Sequence, residues 1–310
     1  MIRRWLIATV PAAAMLFAAG VSAAELRVGA GRALQTPGEA ARQVSDGDTV
    51  LIDPGVYADC AVWRASRLRI EAAGPGVVLA GRTCAGKGIF IIQGNDITVR
   101  GITFADATVP DHNGAGIRAE GRNLTVERSR FLHNENGILA GGGPDSTLWV
   151  SDSEFIGNGA CIGPCAHGLY VGGPLKLVVV ERSIFREQYV AHHIKSRALA
   201  TIVRGCTIED GPRGTASYLI DIPSGGDTLI EYNTMEKGPN SGNPLVAITI
   251  GEEGVRNPTN LLVIRNNVFR NDLPRRTVFV RDRTAQPVEL RGNRLIGDVQ
   301  EYDGPARTFR

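Results

Sequence analysis

LVVVERSIF (177–185) is one of eight variations on a single phrase in this sequence. The others read ITVRGITF (97–104), LTVERSRF (124–131), LWVSDSEF (148–155), TIVRGCTI (201–208), TLIEYNTM (228–235), LVIRNNVF (262–269) and VELRGNRL (288–295). Each alternates apolar and polar residues, passes a charged and then a small polar residue, and ends on an aromatic or aliphatic one. Those endings, from Phe104 to Leu295, recur every 23 to 34 residues. A period of that size with variable insertions predicts an all-β chain folded as a β-solenoid, in which each coil fixes its strands and lets one loop vary.

Two further columns follow from the alignment. Two residues before each ending stand Ser129, Ser153, Ser183, Cys206, Asn233, Asn267 and Asn293. Stacked one per coil, these small polar residues predict an internal ladder that satisfies turn backbone lacking any other partner. A second strand follows in most coils: GIRAEG (116–121), GILAGG (137–142), GLYVGG (168–173), HIKSRA (193–198), LIDIPS (219–224) and AITIGE (247–252). Its core residues align as Ile117, Ile138, Leu169, Ile194, Ile220 and Ile248.

The first coils differ. Leu26–Val28 reads as a strand, Thr36 as the N-cap of a short amphipathic helix with Pro37 at its first position, residues 47–52 as a strand, and residues 54–57 as a turn. A short helix there would cap the open first coil. Before it, residues 1–24 have the form of a secretory signal: Arg3 and Arg4, an apolar run from Trp5 to Val21, then Ser22-Ala23-Ala24. That leaves residues 25–310 as a single β-helix domain. The apolar run is shorter than the roughly 20 residues a bilayer span needs, so no stable membrane insertion is expected once the signal is removed. Removing its two arginines from 34 Lys+Arg leaves 32, equal to the 32 Asp+Glu. A balanced chain argues against a general nucleic-acid partner. The expected location is periplasmic or secreted.

A helix followed by GDTVLIDPGVY (47–57) and then LxVxxSxF coils resembles the right-handed parallel β-helix, or pectate-lyase-like, superfamily. The resemblance covers nearly the whole mature chain. It implies the fold and leaves the reaction open, because the superfamily includes polysaccharide lyases, glycoside hydrolases, esterases, epimerases and non-catalytic adhesins.

Five cysteines in an exported chain are expected to form two bridges and leave one thiol. Cys206 stands in the ladder column, so it should be the buried free thiol. Cys60 and Cys84, one coil apart, are plausible partners. Cys161 and Cys165 bracket a tight loop that a bridge would stiffen; the competing reading is a metal site made with His167.

Counting outward from the core column, the following position reads Arg118, Leu139, Tyr170, Lys195, Asp221 and Thr249. With coils about 4.8 Å apart, Tyr170, Lys195 and Asp221 should form a vertical row on one outer face. Strict alternation also turns His193 and Arg197 outward beside Lys195, and it makes the glycines around the row an open floor. His167, His192 and Tyr218 fall two before the core column and should face inward or sit at a corner, although the Cys161–Cys165 loop could rotate His167 toward the face. His133 reads as ordinary surface, and His112 lies in a loop that could reach the same face. The row Glu181, Arg204, Glu231 and Arg265 alternates in sign and reads as a structural ladder.

The segment from His192 to Arg197 is the densest cationic stretch in the chain. Its bland reading is a solvated strand face; its functional reading is an anion site, for which an acidic polysaccharide is the expected partner. The pairing of an outward Lys with a nearby Arg is similar to the lyases of the superfamily. On that reading Lys195 is the base, its neutral amine favoured by the cations Arg197 and His193. Arg197 binds the uronate carboxylate, and Tyr170 or His193 protonates the leaving oxygen. Asp221 orients Lys195 or helps hold a calcium ion with Glu252 or Glu253. Arg118, His167 and His192 are further candidate substrate contacts. Calcium is a possible cofactor, and no metal ligand set is assigned. Two alternatives stay open: a glycoside hydrolase using Asp221 with Glu187, Glu209 or Glu236 swung in from a turn, and a binding module that does no chemistry.

Overall fold

In the computed structural model, residues 23–305 and 307–308 are described; all but the last two residues of the leader read over 1–24 lie outside them. The chain winds into a parallel β-helix with three faces, a twelve-stranded sheet and two ten-stranded sheets. Strands of successive coils pair in parallel along each sheet. The phrase that defines the repeat supplies two faces. Its Leu/Val half forms the twelve-stranded sheet, as in Leu124–Glu127 on Leu148 and Val150, and its ending forms a second sheet, as in Phe131 on Phe155. The third face is built from the second strands, in the register the core column requires: Ile117 on Ile138, Leu169 on Ile194, Ile194 on Ile220 and Ile220 on Ile248.

Two internal features hold the coils in register. The predicted ladder is present: the Ser129 amide donates to Ser153 Oγ at 3.2 Å, Cys206 to Asn233 Oδ1 at 2.9 Å, and Asn233 to Asn267 Oδ1 at 3.0 Å. A second, shorter ladder at the next corner joins Asn134 to Asn158. Beside them Phe104, Phe131, Phe155 and Phe185 form a buried column of stacked rings, with centroids 4.4–5.3 Å apart. The ladders satisfy buried backbone amides at these corners and, with the rings, key neighbouring coils to one another.

The helix runs over Pro37–Ala41 and packs on the strand Ala61–Trp63. Thr36 caps it and Glu39 closes a capping box, because both orphan backbone donors find an oxygen. Residues Gly55–Tyr57, expected as a turn, are a strand that pairs with Val77–Leu79. Glu181 pairs with Arg204 at 2.6 Å and Glu231 with Arg265 at 2.8 Å, as the sign alternation requires.

Cys60 is bonded to Cys84 and Cys161 to Cys165, while Cys206 is free and buried. The second bridge consumes the thiols a Cys161–Cys165–His167 metal site would need. Both bridges are of the kind that persists in an oxidising compartment. Among the described residues no helix is long and apolar enough to cross a membrane. Burial pushes the Cys206 thiol up to about 12, so almost no thiolate exists at neutral pH. The folded protein should therefore not react with an alkylating thiol reagent, whereas the protein in denaturant should take up one equivalent, as mass spectrometry will read.

Candidate active site

The second-strand face carries an open cavity of about 450 Å³ lined by Asn113, His167, Tyr170, His192, Lys195 and Arg197. The outward row is in register as expected: Leu139 on Tyr170, Tyr170 on Lys195, Lys195 on Asp221. Each member stands on a regular strand, so the spacing of the row follows from coil stacking alone.

Lys195 is at the centre. Its Nζ lies 3.1 Å from Asp221 Oδ2 and 2.6 Å from Glu253 Oε1. The other oxygen of Glu253 is 2.7 Å from Arg197 Nη2, and Tyr170 lines the same cavity as Arg197. Asp221, the next member of the row, is itself buried, 2% exposed. Burial pushes its carboxyl up to about 6 in spite of Lys195. Burial also works on Glu253 in that direction, but the bonds from Lys195 and Arg197 hold it below the ordinary carboxylate range.

The histidines are placed differently from what alternation requires. His193 does not flank Lys195. It is 1% exposed and turned inward, with Nε2 2.9 Å from Asp210 Oδ1, so it cannot reach a substrate. His192 takes the outward place instead. The cause is a bend at the start of each second strand: His192 pairs with Tyr218 and Ile194 with Ile220, while His193 has no partner in the register. One residue thus drops out of the alternation, as at a bulge, and the same skip occurs at Gly116 with Gly137 and at Ala247 with Phe279. The same bend explains Gly116, Gly137 and Gly168, read above as groove floor. They face inward, and a methyl group on Gly137 would lie 2.6 Å from Phe155 Cδ1. The floor glycines are Gly141 and Gly172, where added side chains meet nothing closer than 3.8 Å.

His167, His192 and Tyr218 form an external stack with ring centroids 4.8 Å apart. His167 Nδ1 accepts the His192 amide and His192 Nδ1 accepts the Tyr218 amide, both at 3.2 Å. Because Nδ1 is occupied as an acceptor, each neutral ring carries its proton on Nε2. Burial, with Lys195 beside it, pushes His192 down to about 3, and burial with the neighbouring cations holds His167 well below its ordinary value. Both rings are hydrogen-bond donors at neutral pH and neither is a base. His192 Nε2 is 3.4 Å from Asp221 Oδ2, within the same network.

That depression carries a sign. The unfolded histidine titrates near 6.5 and the folded His192 near 3. The folded protein therefore refuses a proton that the unfolded chain takes up, and stability present above 6.5 is lost as pH falls toward 3. The melting temperature should drop on acidification from pH 7 to about 4, by less in His192→Asn, which keeps an acceptor for the Tyr218 amide. Asp221 works in the opposite sense, favouring the fold as pH falls through about 6. Melting curves at several pH values for both proteins check this.

Arg118 stands in the row but three coils from Lys195, and it does not line the cavity. His112 turns away to Glu135, at 3.1 Å, and His133 is exposed surface. Glu252 pairs with Arg283 at 3.5 Å. A calcium ion held by Asp221 and Glu253 does not fit this arrangement, because the Lys195 ammonium lies between the two carboxylates. Among the described residues no group of three His, Cys, Asp or Glu side chains is placed to hold a metal. A larger groove of about 730 Å³ lies where the other two faces meet, but no histidine, lysine or tyrosine lines it.

Solved structures with the same architecture were found. An alginate lyase from Paenibacillus sp. superposes with a TM-score of 0.61 at 15% identity, over 92% of this chain and 99% of its own. A pectin methylesterase from Erwinia chrysanthemi gives 0.51 at 13% identity, over 69% of this chain and 80% of its own. At these identities the likeness establishes the fold alone: the chain is a parallel β-helix. No protein-family model and no curated protein matches it.

Proposed function

We propose that the protein is an exported lyase that cleaves an acidic, uronate-containing polysaccharide by β-elimination. The observation that carries this is one open cavity that brings Lys195, Arg197 and Tyr170 together, with Lys195 and Arg197 joined through Glu253. Eliminative cleavage of a uronate needs three things: a cation on its carboxylate, a base for the C5 proton, and an acid for the leaving O4. Arg197 offers the bidentate cation. Lys195 is the base, and Asp221, with a carboxyl near 6, is the acceptor into which the ammonium releases a proton before it takes the one on C5. With His193 turned inward, Tyr170 is left as the acid that protonates O4. Its phenolate forms beside Arg197, and the proton that Lys195 took from C5 passes to it from the adjacent coil, which restores both groups. His167 and His192 supply Nε2–H donors to the sugar.

The fold neighbours are an alginate lyase and a pectin methylesterase by name, and alginate and pectin are both uronate polymers. That agrees with a cationic cleft. The two disulfides agree with a periplasmic or secreted location.

One observation favours hydrolysis instead: Asp221 and Glu253 are two carboxylates pushed in opposite directions, the usual mark of an acid and a nucleophile. A glycosidase must flank the glycosidic bond with that pair. Here Lys195 occupies the space between them, which favours elimination.

The test is to incubate purified protein with a panel of uronate polymers and follow ultraviolet absorbance from a new C4–C5 double bond. A rise is the expected result. No unsaturated product from any acidic polymer overturns the lyase reading, and new reducing ends without it transfer the reading to hydrolysis.

A further inference from the structure

The Lys195–Arg197 pair is already occupied by a carboxylate. Glu253 stands on the loop Gly251–Arg256, 58 residues from Lys195, and binds one cation with each oxygen, at 2.6 Å and 2.7 Å. Its side chain is 41% exposed, whereas the other partner of Lys195, Asp221, is buried. Glu253 therefore covers both cations from the solvent side, where a polymer lying on this face would approach.

The loop is built to present it there. Gly251 and Gly254 both have positive φ, +74° and +94°, which bends the chain back over the sheet. The Glu253 amide donates to Pro223 O at 3.1 Å and the Gly254 amide to Gly251 O at 3.0 Å. Asn257, 8% exposed, pins the far end by donating to Arg197 O and Ala198 O at 3.1 and 2.9 Å. The backbone is thus fixed at both ends of the turn, while the Glu253 side chain is held by the two ion pairs alone.

We infer that Glu253 is a stand-in for the substrate's carboxylate and sets the selectivity of the cleft for charged sugars. A ligand with a carboxylate replaces both ion pairs that it breaks. A neutral or esterified sugar leaves Lys195 and Arg197 uncompensated, so Glu253 keeps its place and the ligand is refused. The inference rests on the proposed uronate site and concerns how that site chooses its ligand.

The test separates binding from turnover. The probe is the methyl glycoside of a uronate monosaccharide, which has the carboxylate but no sugar to expel from O4, compared with its carboxyl-reduced counterpart. Affinities are measured by NMR titration for the wild type, Glu253→Gln and Glu253→Ala. If Glu253 is a stand-in, both variants bind the uronate about tenfold tighter, the effect of removing a competitor worth one modest ion pair. The reduced sugar, which the wild type refuses, gains at least as much, because in the variants it no longer has to displace Glu253. Unchanged or weaker uronate binding in both folded variants overturns the inference, since Glu253 would then be supporting the cations rather than occupying them. No gain for the reduced sugar overturns it too, because Glu253 would then not be what refuses it. Melting curves establish that both variants are folded. The outcome does not depend on unsaturated product, so a failure of the lyase reading leaves it legible.

Discussion

Lys195→Ala should lower the formation of unsaturated product by about a thousandfold, within the range expected when a positioned proton-transfer group is removed. Binding should survive, because Arg197 and the donors on His167 and His192 remain. The variant should also fold. Asp221 would lose a partner 3.1 Å away, but its carboxyl is already pushed up to about 6, and without the ammonium it takes a proton instead of standing as a buried charge. The sharper experiment is Lys195→Arg. A guanidinium keeps the positive charge between Asp221 and Glu253 but does not release a proton in the accessible range. If Lys195 moves a proton, Arg fails as badly as Ala in kcat while KM stays near that of the wild type. If its contribution were only positive charge, Lys195→Arg would keep most of the activity, and the base would have to be sought in Tyr170.

How far the sequence reveals this site depends on where strand alternation holds. Between Ile194 and Arg197 it holds, and the row Tyr170, Lys195, Asp221 is read correctly because register and side-chain direction follow from one column of core residues. It fails one residue upstream. The bend that leads each second strand away from the phenylalanine column resets the period, so counting back through it exchanges the faces of His192 and His193. A signal for the bend is present: Gly116, Gly137 and Gly168 occupy the same place in three successive coils, which is the mark of close packing as much as of an open floor. Glu253 is harder to place. Its direction depends on a turn anchored by Asn257 to the backbone just after a strand two coils earlier, and no local pattern encodes a contact of that range. The flanking Gly251 and Gly254 mark a tight turn but not its target.

Phe155→Ala should be the most damaging single truncation in the core, costing about 3–5 kcal/mol and producing a large fall in melting temperature. The ring is 1% exposed and stacks on Phe131 at 4.6 Å and Phe185 at 4.4 Å, so its loss opens a gap in the middle of the column. Most contacts in a solenoid are between neighbouring coils, so the column is one of the main links through this part of the chain, beside the ladders and the sheets. Weakening one central interface therefore weakens the link between everything before it and everything after it. Trp149→Ala in the same coil is the control: that ring is 38% exposed, and its removal should cost no more than about 1 kcal/mol. Calorimetry on the two variants distinguishes them, and equal losses would show that the column is not what joins the coils. The damage should also reach the cleft. Gly137 rests directly against Phe155, and its strand, Asn136–Ala140, pairs with the strand that carries Tyr170. A collapse of that strand into the gap would shift Tyr170 relative to Lys195. Activity in Phe155→Ala should then fall at temperatures where the fold is still intact, because the distance between the proton-transfer groups is set by the stacking of rings beneath them.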